Sequence, residues 1–116
     1  MTLTEAELLE RDFPTVFKDG QAGPDVGPGW IKEILRPLCQ KLVELGVGPD
    51  FAVAQVKEKY GTLRFYVYGA TDEQFAAISA AEVESAEVCE ECGSREHVTT
   101  EGGWLKTLCA TCRDER

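Results

Sequence analysis

At 116 residues, with 43% hydrophobic and 28% charged side chains, the chain has the length and composition of one globular body with at most a small appendage, which excludes two full-sized domains and a disordered or fibrous polymer. Its 12 Lys and Arg against 21 Asp and Glu leave a formal charge of −9, which argues against a protein whose main affinity comes from neutralising phosphates. No stretch approaches the roughly 18 apolar residues of a membrane span, and residues 1–7 are acidic where a signal peptide is basic, so a soluble, cytoplasmic protein is expected.

Residues 2–12 read as a short helix, with Thr2 and Glu5 at capping-box spacing and Leu3, Leu8 and Leu9 available for one face. Pro14, Gly20, Gly23, Pro24, Gly27, Pro28 and Gly29 then make residues 13–29 a turn-rich loop, expected to be mobile. From Trp30 to Leu45 the apolar positions Ile31, Ile34, Leu35, Leu38, Leu42 and Leu45 recur at threes and fours, the pattern of a helix with one buried face. Cys39 lies at the edge of that face and reads as a small core residue. Pro37 is expected to kink or divide the helix, and Gly46 to end it.

Residues 51–57 and 62–68 are rich in β-branched and aromatic side chains and flank Glu58-Lys59-Tyr60-Gly61, a β-hairpin signal. Val53 alternates with polar Gln55 and Lys57, and Leu63, Phe65 and Val67 share one face of the second strand. Arg64, Tyr66 and Tyr68 fall on the other. Lys57, Lys59 and Arg64 with Tyr60, Tyr66 and Tyr68 would form a local patch for phosphates and bases, although the rings read more readily as core. Thr71 and Gln74 cap a third helix through about Ala86, with Phe75, Ile78, Ala81 and Ala86 as its contacts.

That helix runs without a linker into Cys89-x2-Cys92, which is followed after 16 residues by Cys109-x2-Cys112. Two such knuckles supply the four thiolates of a closed tetrahedral Zn²⁺ site, whereas disulfides need an oxidising compartment and a redox C-x-x-C appears once. Gly93 suits the tight turn after the first knuckle. Residues 97–100 and 104–108 around Glu101-Gly102-Gly103 read as a hairpin between the knuckles. The fold class expected is therefore α+β: a body over residues 1–86, a β-hairpin packed by helices, with a zinc ribbon over residues 87–116 held against it. The ribbon becomes a treble clef if residues 110–116 turn helical.

Cys89, Cys92, Cys109 and Cys112 leave no open coordination position, so the zinc is structural. His97, the only histidine, is superfluous as a ligand, and Glu90 and Glu91 read as a solvated acidic run. With no nucleophile elbow, phosphate loop or open metal position, no enzyme is expected.

The strings Trp30 to Leu35, Gln55 to Tyr66 and Gly103 to Cys109 together resemble a group of small bacterial, phage and prophage proteins, in which a K-E-K-[FY]-G-x-L-R-F-Y segment precedes a cysteine-paired tail. The resemblance spans residues 29–112 and implies an architecture and a genomic setting, without an activity. The function expected is an acidic protein-interaction module, a phage-type adaptor or inhibitor of a host enzyme. Its contact residues would be Lys57, Lys59, Tyr60, Arg64, Tyr66 and Trp104. The alternative is a nucleic-acid-binding zinc-ribbon protein that uses the 57–68 hairpin.

Overall fold

The computed structural model describes residues 2–18, 23–102 and 105–115; Trp104 and the centre of the Gly/Pro-rich loop lie outside them. Helix α1 (Glu5–Asp12) is capped by Thr4 rather than Thr2. The Thr4 hydroxyl accepts from the Glu7 amide, and the Glu7 carboxylate accepts from the Thr4 amide. The helix thus begins two residues later than the Thr2 and Glu5 spacing implied, which leaves Leu3 exposed and Leu9 buried.

The described parts of the loop are docked, correcting the expectation of mobility for them. Val16 and Phe17 enter the core, and the Asp25 amide donates to the Val56 carbonyl at 2.9 Å. Turn chemistry identified a segment without regular structure, but apolar anchors inside it decide whether it is held.

A helical turn α2 (Pro28–Trp30), a π-helical segment (Ile31–Leu35) and α3 (Arg36–Leu45) follow one another without a break. The Arg36 amide reaches the carbonyl of Ile31, five residues back. This wider turn lies where the Pro37 ring would crowd the Glu33 carbonyl, so the proline is accommodated without dividing the helix. Gly46, at φ +97°, ends α3.

Strands β1 (Ala52–Lys59) and β2 (Thr62–Tyr68) pair antiparallel through a two-residue turn, Tyr60-Gly61, in which both φ values are positive. Positive φ at both positions is the requirement of a type I′ hairpin turn. A bulge at Ala54 adds one residue to β1 and shifts its alternation, so Val53 and Val56 both face inward. Simple alternation along the sequence did not reveal this shift.

Helix α4 (Asp72–Glu84) starts at Thr71, whose capping box with Gln74 forms as expected, and ends in a 3-10 turn at Ser85–Glu87. Buried Gln74 also donates through Nε2 to the Gly46 carbonyl at 3.0 Å, which ties the start of α4 to the end of α3. Ile78 and Ala81 pack inward; Phe75 and Ala86 face solvent instead, against expectation.

In the C-terminal unit, β3 (Val98–Glu101) and β4 (Lys106–Cys109) form a second antiparallel hairpin, and α5 (Ala110–Asp114) follows at once. The fold class is α+β, a hairpin packed by helices with a four-cysteine C-terminal tail, and the tail takes its helix-terminated form. Among the described residues no helix is long and apolar enough to cross a membrane.

Candidate metal centre and its support

Each cysteine pair is shaped by local backbone chemistry. In the first knuckle the Gly93 amide donates to the Cys89 carbonyl at 2.9 Å and Gly93 takes φ +83°. In the second, Cys109 caps α5, its sulfur accepting from the Cys112 amide at 3.4 Å. The four Sγ atoms all lie within 4.8 Å of one another, and Cys92 and Cys109 are 3.6 Å apart. Tetrahedral coordination with metal–sulfur bonds of about 2.3 Å separates sulfurs by about 3.8 Å, so the cluster fits one metal ion.

Electrostatics point the same way. Burial alone raises the Cys89 thiol, but hydrogen bonds to its sulfur from the backbone at Cys92, Cys109 and Glu91 bring it down to about 7. Burial and the neighbouring sulfurs of Cys109, Cys92 and Cys89 push the Cys112 thiol well up. Without a cation, one thiolate therefore discourages the next; a bound divalent ion reverses that preference for all four.

His97 is exposed and outside the cluster. Glu90 corrects the expectation of a solvated acidic run. It is only 3% exposed, with Oε1 3.1 Å from the Lys106 ammonium and Oε2 accepting from the Thr107 amide at 3.1 Å. The Glu90 amide in turn donates to the Thr107 carbonyl at 3.0 Å. Its neighbour Glu91 remains exposed. Sequence alone offered no signal for this, because the partners sit 16 and 17 residues away on β4.

Among the described residues the body holds this unit by hydrogen bonds and by an ion pair of Glu84 with Arg95 at 2.7 Å. The Trp30 indole donates to the Val88 carbonyl at 2.8 Å, and the Gly29 amide to the Glu90 carbonyl at 2.9 Å. A Cβ on Gly29 would stand 2.3 Å from the Cys89 carbonyl oxygen and 2.4 Å from the Gly93 nitrogen, so only glycine permits this approach. At the far end of the body, the Thr107 hydroxyl donates to the Gly61 carbonyl.

The expected contact residues largely share one surface. Tyr60 and Tyr68 are each 69% exposed and Tyr66 is 43% exposed, which overturns their reading as core. The Lys57 ammonium lies 5.9 Å from the centre of the Tyr66 ring, and the Lys59 ammonium 5.6 Å from that of Tyr60. Lys57 pairs across the strands with Arg64. Trp104 lies outside the described residues. A groove of about 460 Å³ runs beside Ala54, Gln55, Tyr66, Tyr68 and Phe75. Phe75 is the groove-lining residue that the sequence misassigned, because a helical apolar position gives no sign of whether anything covers it. Comparison of the chain with protein-family models, curated proteins and solved structures finds no match.

Proposed function

We propose that the chain is a small acidic, zinc-stabilised protein-interaction module of the cytoplasm and, in the setting its resemblance implies, a phage-type adaptor or inhibitor of a host enzyme. Four sulfur donors at tetrahedral spacing suit Zn²⁺ better than the oxygen-seeking Ca²⁺ or Mg²⁺. Four sulfurs also complete its coordination, so the ion's role is structural and the module is non-catalytic. The observation that carries the reading is the outer face of the β1–β2 hairpin, where Lys57, Lys59, Tyr60, Arg64 and Tyr66 meet on a rigid support. Aromatic side chains and arginine are the types enriched in interface cores.

A second reading, single-stranded nucleic acid on the same face, draws on the exposure of Tyr60, Tyr66 and Tyr68, because rings open to solvent can stack on bases.

Elemental analysis of the purified chain is expected to give one zinc per polypeptide. Affinity capture from lysate of the chain's own host, with and without nuclease and beside a Cys89→Ser control, separates the two readings. A defined protein that survives nuclease and is lost with Cys89→Ser is the expected outcome. Recovery only of nuclease-sensitive material would transfer the function to nucleic acid.

A further inference from the structure

We propose that the outer face of the β1–β2 hairpin is a two-part docking strip for an acidic, extended segment of a partner protein that ends in an aromatic or aliphatic anchor. This rests on the protein-interaction reading and names the chemistry of the partner.

The tip half of the strip is cationic. Lys57, Lys59 and Arg64 lie together there, and no salt bridge joins any of them to a carboxylate among the described residues. The nearest acidic side chain in sequence, Glu58, has Oε2 engaged by the Gly61 amide at 2.6 Å. Three of the chain's 12 basic side chains thus stand unpaired on one face of a molecule with 21 acidic ones. Three cations gathered on one face favour an acidic partner there, while Asp25, Glu58, Glu90 and Glu91 beside Lys57 border the strip on its other side.

The other half is apolar. Tyr66, Tyr68 and Phe75 border the groove of about 460 Å³ next to the Ala54 bulge, room for one large side chain. Among the described residues no cation stacks on Tyr68 or Phe75. Cations accompany Tyr60 and Tyr66 towards the tip, through Lys59 and Lys57, and none accompanies Tyr68 or Phe75 at the groove, so positive charge is confined to one end of the strip. A nucleic-acid strand carries phosphate and base together at every step and asks for cations beside every ring. An acidic peptide with a terminal anchor matches a strip whose cations lie at one end and whose groove, beside Tyr68 and Phe75, has none.

Recognition runs through the face, because the strand edges are engaged. On β2 the Leu63 amide donates to Ser85 Oγ and the Phe65 amide to Glu82 Oε2; on β1 the Val56 carbonyl accepts from Asp25. At about 3.3 Å per residue, the eight residues of β1 accommodate an extended segment of similar length.

The test uses the full zinc-loaded chain and fluorescence anisotropy. The probes are labelled peptides with a run of Glu and one Trp at either end, versions with Glu replaced by Gln or Trp by Ala, and an oligothymidine of matching length. One Glu–Trp peptide is expected to bind at least about tenfold tighter than its Gln, Ala and oligonucleotide counterparts, and to weaken as salt rises. Lys57→Glu with Lys59→Glu should abolish that preference for Glu, and Phe75→Ser the preference for Trp. Lys59 and Phe75 are exposed and Lys57 is half-buried, and circular dichroism checks that both variants fold. Absence of peptide binding, indifference to either variant, or tighter binding of oligothymidine overturns the strip. A host protein captured equally by Lys57→Glu/Lys59→Glu would overturn this surface and leave the interaction reading standing.

Discussion

The hydroxyl of Thr107, on the strand leading to the second cysteine pair, donates to the backbone carbonyl of Gly61 at the tip of the body's hairpin. Thr107 is wholly buried, its backbone is bound on both sides by Glu90, and its hydroxyl also meets that of Thr100 at 2.6 Å. A line of contacts therefore runs from the first knuckle through Glu90 and Thr107 to the turn that presents Tyr60.

Thr107→Val tests that line. The substitution keeps the shape and removes the hydroxyl, leaving the Gly61 carbonyl without its donor, for an expected cost of about 1–3 kcal/mol in urea unfolding. Hydrogen exchange should accelerate at Gly61 and Thr62 while metal content is unchanged from that of the parent chain. An unchanged tip would show that the turn is held by the Glu58 carboxylate alone.

Metal affinity should fall with decreasing pH, since each sulfur must shed its proton to bind. Cys89 sits near 7 and gains a proton on acidification, whereas the crowded Cys112, well above the ordinary thiol value, already holds one, so the metal must displace protons that leave less readily as pH falls. Competition with a chromogenic chelator across neutral to mildly acidic pH measures this, with proton release on metal addition as the complementary signal. Cys89→Ser should lose the metal and the chemical-shift dispersion of residues 89–115.

Cys39 provides a thiol outside the cluster. Burial raises it from 9.0 to about 12 in the folded protein, slightly offset by Arg36. The folded state therefore holds a proton that the unfolded chain releases above pH 9, so this contribution to stability is complete below about 9 and is lost as pH rises towards 12. Chemical denaturation across that range should show the decline, and Cys39→Ala should flatten it. In the native protein Cys39 should resist alkylation until the body unfolds.

Three glycines separate contact from backbone strain. Gly29→Ala drives a Cβ into the knuckle backbone, and a loss of about 1–3 kcal/mol or more is expected together with weaker metal retention. Gly46→Ala meets no atom within 4 Å but sits at φ +97°, so it should cost about 1 kcal/mol without touching the metal. Gly48 has open space and no positive φ, and its replacement by Ala should be neutral or slightly stabilising. Thermal melts paired with chelator competition distinguish the three.

What could be read from sequence was what short-range chemistry determines. Thr71 and Gln74 close a capping box because the reaction is local to one helical turn, and the C-x-x-C spacings bring sulfurs together because each knuckle is a turn. The side chains that were misread depend on distant chain. Glu90 and Glu91 are neighbours of one type, yet Lys106 and Thr107 bury one and not the other. Tyr66 and Phe75 carry the same apolar signal as core rings, and only the packing of α4 on β2 decides that they stay outside. The Ala54 bulge leaves no composition cue and changes which side of β1 faces in.

The Trp30 indole finds its acceptor 58 residues further along, at Val88, and the glycine cradle beside it faces the Cys89 knuckle. On a ribosome adding roughly 5–20 residues per second, helix and hairpin emerge seconds before the knuckle that completes them. Through that interval the largest core side chain carries a donor without its native partner, and Gly27 and Gly29 border an open cleft. An ion held by all four cysteines could be captured only after the second pair has emerged. Were the ion withheld, chains would be expected to accumulate at that point, with the cleft open to chaperones and proteases.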